Sequence, residues 1–155
     1  MRSRLVRFGS LAAGVVTLVG AFAVVSYSAD EDPKPEPVAA IKDIMNGVNH
    51  NQGGLYGLIK ETLNGGAPSD KDWKLIGARA VIMAEAGNIL MGLEPPRGAE
   101  DDAGKLAWRK QCAAYRDAAK DLRKAAGLKS VEKAKACVDG IKARCDACHE
   151  AHQPE

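Results

Sequence analysis

Apolar residues return at helical spacing through four stretches of this chain, and no stretch alternates convincingly as a strand would. Helices with one apolar face must bury that face against one another, so this periodicity constrains the fold more than any other feature. The first stretch covers 38–63, with Ile41, Ile44, Met45, Val48, Leu55, Ile59 and Leu63 in phase. Gly53-Gly54 weakens its middle, and Asn64-Gly65-Gly66 ends it. The second, 70–91, starts at a Ser69 cap with Asp72 in its first turn, and draws on Leu75, Ile76, Val81, Met83 and Leu90. Glu94-Pro95-Pro96-Arg97-Gly98 breaks the pattern. The third, 101–126, carries an inner stripe of Trp108, Cys112, Tyr115, Ala119, Leu122 and Ala126, with Gly127 as its stop. Ser130 can cap the fourth, 131–151, whose stripe is Ala134, Cys137 or Val138, Ile141, Cys145 and Cys148. Four amphipathic helices with mostly short connections predict an all-α fold, an antiparallel four-helix bundle over residues 38–155.

The chain opens differently. Residues 1–7 are basic, 8–25 are apolar or small, and small residues follow around Ser26, Ser28 and Ala29. That order predicts a signal peptide over 1–29, with an uncleaved membrane anchor as the alternative. Residues 30–37, DEDPKPEP, predict an acidic, proline-rich linker. Without the three arginines of 1–29, 19 basic residues face 20 acidic ones. No basic cluster remains to neutralise phosphates, so nucleic-acid binding is not expected. The expected location is the periplasm or an equivalent exported space, with membrane contact only if the N-terminal segment is retained.

The last stretch holds Cys145-Asp146-Ala147-Cys148-His149. C-x-x-C-H is the attachment pattern of a c-type haem, in which each thiol can form a thioether and the adjacent imidazole can reach the iron. On a helix, Cys145 and Cys148 share a face, and His149 lies four residues after Cys145. Three other readings compete. An oxidising compartment allows a Cys145–Cys148 disulfide. Zinc could be held by Cys145, Cys148, His149 and His152, although adjacent ligands crowd a tetrahedron. A thioredoxin-like pair would need a strand–helix setting, which is absent. Haem fits the motif, the export signal and the helical setting together.

With CDACH near the C-terminus of an exported helical chain, the sequence resembles the class II cytochromes c, the cytochrome c-prime family with its low-spin members. The likeness covers about residues 38–152. It implies one covalent haem c held by Cys145 and Cys148, with His149 as proximal iron ligand. It also implies that the sixth position faces the first helix, where low-spin members place a methionine and high-spin members leave the site open. Met45 is the candidate there, on one helical face with Ile41, Val48, Gln52 and Ile59. Ile41 stands where high-spin members often carry an arginine, which favours the low-spin form. Met45 as plain core packing stays open, and so does His50 as a rival ligand if Gly53-Gly54 bends the chain.

Two functions follow. The first is an electron carrier, not an enzyme, with His149/Met45 ligation and redox proteins as partners. The second is a five-coordinate haem protein that binds or senses nitric oxide or carbon monoxide. A haem-free bundle is the third alternative, and a homodimer is left open. Cys112 and Cys137 are too far apart along paired helices for a disulfide; Cys112 is instead expected level with Cys145, as a small core residue. Trp108 and Tyr115 are expected beside the porphyrin or in an ordinary aromatic core. His152 is expected in a solvated tail. The charges from Arg109 to Lys124 are expected on a solvated face that could also dock a partner. Few core side chains are bulky, so a haem would fill the interior and stabilise the fold by linkage.

Overall fold

A computed structural model of the chain describes residues 38–96, 99 and 101–152. The expected signal peptide (1–29) and linker (30–37) lie outside the described residues, as do Arg97 and Gly98 of the expected break. Every regular element among the described residues is a helix. The order is α1 (Ile41–Ile44), a π turn (Met45–Asn49), α2 (Leu55–Asn64), α3 (Asp70–Gly92), α4 (Asp102–Gly127) and α5 (Val131–His152). α3 packs along α4, α4 along α5, and α2 against both α3 and α5.

The three long helices match the sequence periodicity because local chemistry starts them where it should. At α3 the Ser69 hydroxyl accepts from the Asp72 backbone N–H at 3.3 Å, and Asp72 returns a carboxylate bond to the Ser69 N–H at 2.9 Å. This reciprocal cap satisfies two orphan donors. The bonds from Ser69 also hold the Asp72 carboxyl below the ordinary carboxylate range. Asp101 caps α4 through Gly104 N–H at 2.6 Å, and Ser130 caps α5 through Lys133 N–H at 3.3 Å.

The first predicted helix, 38–63, is not continuous. His50 leaves helical geometry at φ −61°, ψ 136°. Gly53 adopts φ +80°, which a side chain would resist. Gly54 lies so close to His50 that an added Cβ would sit 2.6 Å from the His50 carbonyl oxygen. The pair therefore breaks the helix instead of weakening it, and Gln52 leaves the Met45 face for an exposed turn.

The α4–α5 turn also differs. Gly127 stays helical, and Lys129 takes the left-handed position at φ 51°. Ser130 N–H bonds Ala125 O at 3.3 Å and Lys129 N–H bonds Ala126 O at 3.0 Å, the paired closure of a Schellman motif. A lysine occupies the place glycine usually takes.

On α3 the buried stripe is Trp73, Ile76, Ala80, Met83, Gly87 and Leu90. Leu75 and Val81, expected inside, are 40% and 36% exposed. Small residues explain the shift, because they let α4 approach closely. A Cβ on Gly87 would stand 2.9 Å from Arg116 Cβ. On α5, Val138 takes the buried place and Cys137 is half-buried.

The buried apolar residues form two clusters. The larger joins Ile59 and Leu63 of α2, Ile76 and Met83 of α3, Leu122 of α4 and Ile141 of α5, with Tyr56, Trp73 and Tyr115. The smaller joins Ile44, Ala86, Leu90, Trp108 and Cys112. The expected inner stripe of α4 is buried throughout and feeds both clusters.

Candidate functional site

The last two turns of α5 lie beside both clusters. Cys145 packs against the larger one and Cys148 against the smaller, both half-buried. All four cysteines are free thiols. Burial raises each thiol: Cys145 to about 11 and Cys112 to about 12, with Cys137 and Cys148 also above the ordinary value. Neighbouring Cys148 is a secondary cause at both Cys145 and Cys112. Near neutral pH these groups are therefore neutral S–H donors on apolar faces.

Cys112 shares its cluster with Cys148, whereas Cys145 was the expected neighbour.

Met45 opens the π turn and packs, half-buried, against the same cluster as Cys148. Met45 and Cys148 thus border one apolar patch. The Met45 sulfur accepts a hydrogen bond from Asn49 Nδ2 at 3.3 Å. Asn49 Oδ1 in turn accepts from the Tyr115 hydroxyl at 2.5 Å. Burial raises the Tyr115 phenol well above its usual range, with Cys145 adding to the effect, so it stays a donor.

The histidines divide differently from expectation. His149 is exposed in the last turn of α5. His50 is exposed too, its Nδ1 lying 2.6 Å from Gln52 O and 3.2 Å from Gln52 N. His152, expected in a solvated tail, packs edge-on against Trp108 with ring centroids 5.5 Å apart and planes at 83°. Both of its ring nitrogens are buried without a partner. The reason is helical phase: His152 lies four residues after Cys148, hence on nearly the same face, and α5 stays helical through it. His149, one residue after Cys148, is turned about 100° away.

Trp108 is anchored by its indole N–H to Leu90 O at 2.9 Å. It also borders an open cleft of about 250 Å³ between the end of α3 and the start of α4. Asn49 was not singled out from sequence, and the inward turn of His152 was not foreseen. Both follow a four-residue spacing, Met45 to Asn49 and Cys148 to His152, that would have flagged them.

The donor chemistry fits a covalent haem in part. The Cys148 thiol and the Met45 thioether flank one apolar patch, the Cys145 thiol borders the other, and the orphaned His152 nitrogens mark that end as short of a polar partner. His149 would reach an iron only by turning inward, and exposed side chains change rotamer freely. Among the described residues, no three His, Cys, Asp or Glu side chains converge to hold a metal ion. No family model matches this chain, and no curated protein or solved structure matches it either.

Proposed function

We propose that this chain is an exported electron-transfer protein of the class II cytochrome c type, with one haem c on Cys145 and Cys148. Its helices would form the antiparallel four-helix bundle of that family, with α1, the π turn and α2 as the first arm. The observation that carries the proposal is CDACH on the final turns of α5, its second sulfur in one apolar patch with Met45. The resemblance of this motif and its setting to the family supports the rest.

The haem would supply an iron that cycles between ferric and ferrous states. The chain's own groups do the remaining work. Cys145 and Cys148 would hold the group by two thioethers, and His149 would provide the proximal nitrogen. Met45 would provide the opposite sulfur, which favours the ferrous form. The clusters exclude water and lower the local dielectric. The charged outer face of α4, with Arg116–Asp117 at 3.0 Å and Lys124–Asp121 at 2.7 Å, is available for brief docking with a redox partner.

The test is production with a c-type haem maturation system, followed by denaturation and optical and EPR spectra. Expected are haem retained through acid–organic extraction and a low-spin ferric signal. Met45→Ala should convert that signal to high spin, while His50→Ala should not. Haem lost on extraction would sink the proposal. A high-spin wild type would point instead to an open iron that binds nitric oxide or carbon monoxide.

A further inference from the structure

We infer that Asn49 and Tyr115 form a positioning relay that orients the Met45 thioether and tunes it as an iron ligand. The inference rests on the His149/Met45 reading and deepens it.

The relay has three members from two separate parts of the chain. The Tyr115 hydroxyl, on α4, donates to Asn49 Oδ1 at 2.5 Å. That contact fixes which way the amide faces, because a phenol donates to oxygen while Nδ2 can only donate onward. Nδ2 then donates to the Met45 sulfur at 3.3 Å. A thioether sulfur has two lone pairs. One accepts the Asn49 N–H, and the other stays free to face a metal.

The backbone points the same way. Met45 and Asn49 are the first and last residues of the π turn. Such turns are rare and recur at functional sites, because they cost hydrogen-bond geometry. Gly47 sits at the centre of this one, in open space. The four-residue separation stacks the amide over the thioether. Tyr115 is buried, so the relay starts from a fixed point in the core. A flexible methionine has three rotatable bonds, and one hydrogen bond, from an amide itself held by Tyr115, removes much of that freedom at the atom that would bind. A donor on the sulfur also withdraws electron density, which weakens it more as a ligand of ferric than of ferrous iron.

The variants separate the roles. Asn49→Leu removes both bonds. Asn49→Asp still accepts from Tyr115 but cannot donate to Met45. Tyr115→Phe leaves the amide free to turn. The readouts on holoprotein are the ferric spin state, the near-infrared charge-transfer band of methionine-ligated haem, and the midpoint potential. Each lost hydrogen bond frees the methionine, and that loss of orientation should weaken Met45 ligation about fivefold to tenfold, outweighing the electron density the sulfur regains. The high-spin fraction should then rise in the order Tyr115→Phe, Asn49→Asp, Asn49→Leu, and the potential should fall in whichever fraction stays low-spin. A merely structural role would lower melting temperature in all three and leave the band and potential unchanged, which would overturn the inference. If Asn49→Leu does not fold, Tyr115→Phe and Asn49→Asp carry the same decision. A wild type that is already high-spin removes the Met45 reading and this inference together. A low-spin wild type with unaltered variants removes only the inference.

Discussion

The two apolar clusters of this chain are built to different standards. The larger holds Ile59, Ile76, Met83 and Ile141 at 0% exposure and ties α2, α3, α4 and α5 together. The smaller is bordered by half-buried Met45, Met91 and Cys148, and beside it His152 leaves two buried nitrogens without partners. Dense aliphatic packing supplies stability, whereas loosely covered sulfur and orphaned imidazole are costs a chain keeps where it has chemistry to do. The contrast separates a densely packed aliphatic cluster from one bordered by sulfur and an unpartnered imidazole.

The sharpest way to break that contrast is in the larger cluster. Leu122→Ala should cost about 2–5 kcal/mol of unfolding free energy, because α4 cannot collapse into the space. Urea denaturation of the apoprotein reads it, and a loss near zero would mean that the larger cluster is not the stable end.

A pH effect comes next. Burial pushes the Cys112 thiol up to about 12, so the folded chain keeps a proton that the unfolded chain loses near pH 8.5, the ordinary thiol value (roughly). Its stabilising contribution is complete below that pH and is lost as pH rises toward 12. The apoprotein should therefore lose stability through this window, and Cys112→Ala should flatten the slope. An unchanged slope in the variant would assign the loss to other groups, such as Tyr115.

At the other end, His152→Phe keeps the aromatic contact with Trp108 and removes two unpartnered nitrogens. The apoprotein should gain about 1 kcal/mol, seen as a higher urea midpoint by tryptophan fluorescence. A loss of stability would show that His152 has a partner after all. The smallest effect is expected at the turn between α4 and α5. Lys129→Gly relieves the left-handed strain and gives up an exposed ion pair to Asp70 at 2.7 Å. The balance should be a gain of about 0.5–1 kcal/mol in the same titration. A drop would mean that the ion pair outweighs the backbone.

Much of this was legible in the sequence. The spans of α3, α4 and α5 follow from apolar periodicity, and Ser69 and Ser130 mark helix starts because capping is local chemistry. The inner stripe from Trp108 to Ala126 is buried as its spacing predicts. Gly53-Gly54 signalled a weak point, but a periodic pattern on both sides hid how complete the break is. The π turn had no signal at all, since a wider turn depends on what the segment packs against.

By itself, the sequence determined the helical class, the ends of the long helices and the cysteine pair on one face of the last of them. Each of these depends on residues within a turn or two of one another. Only the tertiary structure decided which histidine of α5 faces inward, whether Cys112 meets Cys145 or Cys148, and that Tyr115 reaches Asn49 across 66 positions of chain. Those outcomes depend on how the helices are rotated and shifted against one another, which residues distant in sequence decide together. A shift of one residue along a helix turns a side chain by about 100°, enough to exchange His149 for His152.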